Sequence, residues 1–218
     1  MDPLTVLGSL GLIPVLEVAS PEVAADVTEA LVGGGLPCAE ITFRTPAAEA
    51  AIERVATRFP DVCVGAGTVL STDQVDRAIG AGARYVVSPG FNPVVVERCL
   101  ERSMPVIPGV CTPTEIEMAL SRGIGTVKLF PAEAAGGVGY LRAIRAPYPS
   151  VLFVPTGGID AANLVAYLTQ PGVIACGGSW MAPKELIAAR DFDAIRRRTA
   201  QAVALVAQAR SGPRSATA

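Results

Sequence analysis

Eight short Val/Ile-rich runs alternate with Ala/Leu-rich stretches of helical period along nearly all of the 218-residue chain, and few folds accommodate that order. The strands predicted from these runs are Ile13–Val18, Cys38–Phe43, Val62–Ala66, Tyr85–Val87, Val106–Ile107, Thr126–Phe130, Leu152–Val154 and Val173–Cys176. Between them the period predicts helices over Pro21–Val32, Ala47–Arg58, Thr72–Ile79, Pro93–Arg102, Thr114–Ser121, Val138–Arg145 and Ala162–Leu168. A short helix at Leu4–Leu10 precedes the series and a long one near Phe192–Ala209 closes it. Strict β-α alternation at this spacing predicts a single α/β domain, a (β/α)8 TIM barrel over residues 1–210. Residues 211–218 (SGPRSATA) read as a frayed, disordered tail.

With 50% hydrophobic and 17% charged residues, the chain can bury a large core. A net charge of -2 leaves no footprint for nucleic acid, so an anionic ligand needs locally placed cations or N–H groups. No apolar run reaches membrane length, and the Met1-Asp2-Pro3-Leu4 start lacks a basic secretory n-region. The five scattered cysteines form no C-x-x-C pair, and the expectation is a cytoplasmic protein with reduced thiols. Absence of histidine removes Ser-His-Asp and Cys-His catalysis and His-ligated zinc together. Among 18 basic residues only Lys128 and Lys184 are lysine, and only lysine can become a neutral amine nucleophile.

In barrels of this kind the chemistry sits where strands end. On the sixth strand, alternation sets Thr126, Lys128 and Phe130 on one face and Val127 and Leu129 on the other. If the two aliphatics face the helices, Lys128 points inward, where burial penalises an ammonium and favours the amine that attacks a ketone. Lys184, after Pro183 and beside Glu185 at a helix start, reads as ordinary surface. The second strand places Glu40, Thr42 and Arg44 together; Glu40 is either a structural partner of Lys128 or a proton shuttle, and Arg44 is a fork for a carboxylate. Glu17 on the first strand is a weaker competitor for the shuttle role. The Gly65-Ala66-Gly67-Thr68 run ends in Leu70 where a dinucleotide fingerprint needs a third glycine; it reads instead as close backbone approach to a ligand, with Thr68 as donor. The last two strands end in Thr156-Gly157-Gly158 and Gly177-Gly178-Ser179, adjacent turns suited to phosphate.

The segments GLIPVLEV, AEITFRT, VGAGTVL, VVSPGF, PVIPGV, VKLFPAE, FVPTGGI and GGSW, in that order, resemble the 2-keto-3-deoxy-6-phosphogluconate (KDPG) and 4-hydroxy-2-oxoglutarate (KHG) aldolases. The resemblance spans roughly Leu12 to the final helix. It implies a Schiff-base lysine at Lys128 and an acid/base carboxylate at Glu40. It further implies pyruvate-moiety contacts from Arg44, Thr68, Pro89, Phe130 and Thr156, and a phosphate site at Gly157, Gly158, Gly178 and Ser179. A metal-free, cofactor-free homotrimer is implied, acting on a keto-acid sugar phosphate in the Entner–Doudoroff route. Three alternatives stay open: an aldolase for the galactonate epimer, a sugar-phosphate epimerase or isomerase, and a non-catalytic sugar-phosphate-binding barrel in which Lys128 and Glu40 merely pair.

Overall fold

Helix starts are written into the chain as paired signals, a capping side chain followed by proline. Asp2, Ser20, Asn92 and Thr112 each accept a backbone N–H of the first turn, and Pro3, Pro21, Pro93 and Pro113 follow them, where a missing N–H is harmless. Thr112 and Glu115 complete a reciprocal capping box. The computed structural model describes residues 1–211. In chain order its elements are α1 (Pro3–Leu10), β1 (Leu12–Leu16), α2 (Pro21–Gly33), β2 (Cys38–Thr42), α3 (Ala48–Arg58), β3 (Cys63–Gly67), α4 (Thr72–Gly80) and β4 (Val86–Val87). There follow α5 (Pro93–Glu101), β5 (Val106–Ile107), β6 (Gly109–Val110), α6 (Pro113–Leu120), β7 (Thr126–Leu129) and α7 (Gly137–Arg145). The chain continues through β8 (Leu152–Phe153), α8 (Leu164–Leu168), β9 (Cys176–Gly178), α9 (Lys184–Ala188) and α10 (Phe192–Ser211).

All strand pairs are parallel. One set runs β5-β4-β3-β2-β1-β9 and the other β6-β7-β8, so the fold is mixed α/β around a curled parallel sheet. Pro108 lies between β5 and β6, and isolated bridges join Phe153 to Val173 and Thr156 to Gly177. Strands β2, β3 and β7 are buried at every position, as expected for a parallel sheet covered on its outer face by helices and filled on its inner one. Ile13, Leu16 and Ile41 are almost fully removed from water, each side chain contributing about 1.5–3 kcal/mol. Inside, Tyr85 fills the space where a side chain at Gly65 would stand. Helix α10 packs on α2 and α8. Among the described residues, no helix is long and apolar enough to cross a membrane.

Two strand expectations need correction. The fifth strand resumes after Pro108 as β6, and the eighth lies at Cys176–Gly178 rather than Val173–Cys176, because its register is set against β1 through Leu12↔Cys176. Helix α10 extends through Ser211, which was expected to belong to the frayed tail; the remainder of that tail lies outside the described residues.

Candidate active site

Strands β2 and β7 each carry one ionisable group into the protein. Lys128 and Glu40 side chains are 6% and 4% exposed, with Nζ 3.6 Å from Glu40 Oε1. At that separation the two attract but are not hydrogen-bonded, and Oε1 is buried with no hydrogen-bond partner among the described residues. A buried carboxylate oxygen left unpaired costs free energy, and such groups recur where a reaction needs them. Gly67 makes room for it: a Cβ there would stand 2.6 Å from Glu40 Cγ. On the other side, Lys128 Nζ lies 5.3 Å from the centroid of the Phe130 ring. The backbone of β7 is fixed from both flanks, by Lys128 N–H donating to Pro108 O (2.9 Å) and Val154 N–H donating to Val127 O (2.8 Å).

Arg44 follows β2 and donates from Nε to Thr68 Oγ1 at 3.2 Å, which leaves the Thr68 hydroxyl hydrogen available. Thr68 adopts φ 54, a left-handed conformation unusual outside glycine, in the turn after β3. Between Glu40 and Arg44, Thr42 ties β2 to β1 by donating to Leu16 O at 2.8 Å. Pro89, in the turn after β4, places its backbone where a side chain at Gly109 would lie.

A cleft of about 380 Å³ opens at the strand ends, bounded by Arg44, Phe130, Thr156, Gly157, Gly158, Gly178 and Ser179. Lys128, Glu40, Thr68 and Pro89 do not line it; Phe130, beside Lys128, and Arg44, beside Thr68, do. Gly157 and Gly158 adopt φ 97 and 79, conformations that need glycine. Their carbonyls accept from Glu133 N–H (3.1 Å) and from Asn163 Nδ2 (3.0 Å), and the Gly158 N–H donates to nothing among the described residues. Unpaired N–H groups at a turn make an anion-binding concavity. Glu133 underpins the turn, packing where a Cβ on Gly158 would lie (2.6 Å from Glu133 Cβ), and its carboxylate accepts from the Tyr167 hydroxyl. Burial first, then the Glu133 contact, holds the Tyr167 phenol well above its ordinary pKa, so it remains a donor. Thr156 bridges to Gly177, where a Cβ would come within 3.1 Å of Thr156 Cγ2.

Two residues on the cleft wall form a pair that their separate sequence readings did not join. Glu17 accepts from Lys184 Nζ at 2.7 Å and faces Arg44 Nη1 at 3.8 Å, so it stands at the cleft mouth rather than beside Lys128. The Lys184 hydrogen bond is the main cause of a lowered Glu17 pKa. Lys184 is solvent-exposed as expected, but it also lines the cleft. No local sequence signal joins these two residues, which lie 167 positions apart. Among the described residues, no group of three or more Cys, Asp or Glu side chains converges in a way that could hold a metal ion.

Known proteins resemble this chain in sequence and in fold. The KDPG and KHG aldolase family matches residues 5–198. The 2-dehydro-3-deoxy-phosphogluconate aldolase of Treponema pallidum is 48% identical over 194 residues, covering 89% of this chain and 92% of that protein. The crystal structure of KDPG aldolase from Legionella pneumophila, with pyruvate captured as a covalent carbinolamine intermediate, superposes with a TM-score of 0.88 at 38% identity, covering 92% of this chain and 97% of that one. The KDPG aldolase of Zymomonas mobilis with 3-phosphoglycerate gives a TM-score of 0.87 at 32% identity over 100% of both chains. The chain belongs to the KDPG and KHG aldolase family.

Proposed function

We propose that this protein is a class I aldolase that cleaves KDPG to pyruvate and glyceraldehyde 3-phosphate, and KHG to pyruvate and glyoxylate, with Lys128 as the nucleophile. The observation that carries the reading is the buried Lys128 amine beside an oxygen of Glu40 that has no hydrogen-bond partner among the described residues. Neutral Lys128 attacks the C2 ketone, and loss of water with Glu40 moving protons gives an iminium ion. The iminium accepts the electron pair of the C3–C4 bond, so cleavage leaves an enamine instead of a bare carbanion. Glu40 takes the C4 hydroxyl proton as the aldehyde departs; C3 is then protonated, and water hydrolyses the iminium to release pyruvate. Arg44 and Thr68 hold the substrate carboxylate, with Pro89, Phe130 and Thr156 shaping the pyruvate pocket. Gly157, Gly158, Gly178 and Ser179 hold the phosphate through N–H groups and a hydroxyl, supplying binding energy remote from the breaking bond.

We further infer that the sheet closes into a (β/α)8 barrel forming a single domain. Continuity of β5 and β6 through Pro108, together with the Phe153–Val173 and Thr156–Gly177 bridges, supports closure. A homotrimer is the assembly that the family resemblance implies.

Borohydride reduction in the presence of pyruvate tests the scheme. The expected product is a covalent adduct on the peptide containing Lys128; an adduct on Lys184, or none, refutes it. A lactate dehydrogenase-coupled assay separates the alternatives: a sensor releases no pyruvate from KDPG, and a galactonate-type enzyme prefers the epimer.

A further inference from the structure

Four charged side chains line the cleft, Glu17, Arg44, Lys184 and Glu185, and the proposed reaction uses only Arg44. Glu17 engages both cations at once, accepting from Lys184 Nζ at 2.7 Å through Oε1 while Oε2 faces Arg44 Nη1 at 3.8 Å. The two cations have different neighbours beyond Glu17. Arg44 stands with Thr68, and Lys184 follows the Gly178–Ser179 turn, sharing the cleft wall with Gly157 and Gly158.

We propose that Lys184 is the cation that receives the substrate phosphate, and that Glu17 is the counter-ion it exchanges for that phosphate. The proposal rests on the aldolase reading and adds a specificity-determining residue to it. A phosphate monoester brings close to two negative charges at neutral pH. The Gly157 and Gly158 N–H groups and the Ser179 hydroxyl offer dipoles but no charge, and two carboxylates stand on the same wall. The four charged groups sum to zero, so without a cation turned toward the phosphate the cleft has no net attraction for it. Lys184 suits the exchange: its side chain is 68% exposed on a flexible four-carbon stem, and Glu17 is 29% exposed, so the bond between them breaks and reforms in contact with water.

Calorimetric titration of the full-length protein with glycerol 3-phosphate, beside the Lys184→Met, Lys184→Arg and Glu17→Gln variants, tests this. An exposed ion pair adds little to folding, so all three variants are expected to melt near the wild type. Lys184→Met is expected to weaken glycerol 3-phosphate binding about tenfold, the equivalent of one charge-assisted hydrogen bond. Lys184→Arg retains affinity within about twofold and Glu17→Gln tightens it, since each keeps a cation and the latter removes its competitor. In condensation with pyruvate, the preference of Lys184→Met for glyceraldehyde 3-phosphate over glyceraldehyde, as a ratio of kcat/KM, falls by a similar factor. Unchanged glycerol 3-phosphate affinity in Lys184→Met, or an equal loss in Lys184→Arg, overturns the proposal. The titration needs no turnover, and trapping of pyruvate by the wild-type protein reads the aldolase assignment separately.

Discussion

Replacing Gly67 by alanine puts a methyl group into space that Glu40 occupies. The new Cβ would stand 2.6 Å from Glu40 Cγ and 2.8 Å from Cδ, whereas carbon atoms settle at about 3.5–4.0 Å. Glu40 must therefore retreat by about 1 Å, and with its side chain 4% exposed it has little open space to enter. Overpacking of this kind costs about 1–3 kcal/mol, offset by about 0.4–1 kcal/mol from the reduced freedom of the unfolded chain. For a chain of this size each kcal/mol lowers Tm by about 2–4 °C, so a fall of roughly 5 °C is expected. The catalytic effect should be far larger, because a 1 Å misplacement of a reacting group costs about 100-fold. Turnover of KDPG measured with lactate dehydrogenase, alongside a thermal melt of the same preparation, gives both numbers. A folded Gly67→Ala protein with kcat within about threefold of wild type would refute the argument that the position of Glu40 governs turnover.

Glu40→Gln should retain the Lys128–pyruvate adduct better than it retains turnover; normal specific activity in a partly unfolded preparation would instead mark Glu40 as a structural partner of Lys128. Tyr167→Phe removes the donor to Glu133 beneath the Gly157–Gly158 turn. It should raise KM for the phosphorylated substrate more than for KHG, with a stability loss of about 0.5–1.5 kcal/mol, and equal effects on both substrates would rule out a role confined to the phosphate end. Burial pushes the Cys99 thiol up to about 12 and the Cys38 thiol well above its usual range. The unfolded chain loses these protons from about pH 8.5, so this contribution to stability is complete below that pH and is lost as pH rises toward the folded-state values. Tm should therefore decline between about pH 8 and 11, and a rising Tm over that range contradicts the assignment.

Helix positions and the strand faces that carry Lys128 and Glu40 were legible because local rules govern them. A helical period declares a helix, and alternation sets which side chains of one strand share a face. What escaped depends on partners distant in sequence. Gly109–Val110 has no periodicity to read, and it is a strand only because Gly109 and Val110 pair with Lys128 and Leu129. Cys176–Gly178 is rich in a residue that disfavours strands, and pairing with Leu12–Pro14 makes it one. Glu17 reads in isolation as a weak competitor for the shuttle role and Lys184 as a solvated charge, and only the fold brings them to one cleft wall. The helix start read at Lys184 is that of α9, whose 5 residues are too few to display a helical period of their own.

The interruption at Pro108 has a mechanical meaning. Pro108 has no N–H to give a neighbouring strand, yet its carbonyl accepts from Lys128, so the break comes beside the proposed nucleophile without loosening it. Phe130 N–H is likewise held by Val110 O, and Thr156 N–H by Leu129 O. With the main chain clamped on either side, the side-chain torsions of residue 128 are the degrees of freedom that the proposed reaction leaves to follow the carbon as it passes from planar to tetrahedral and back. The scaffold behaves as a vice and the lysine as the tool it grips.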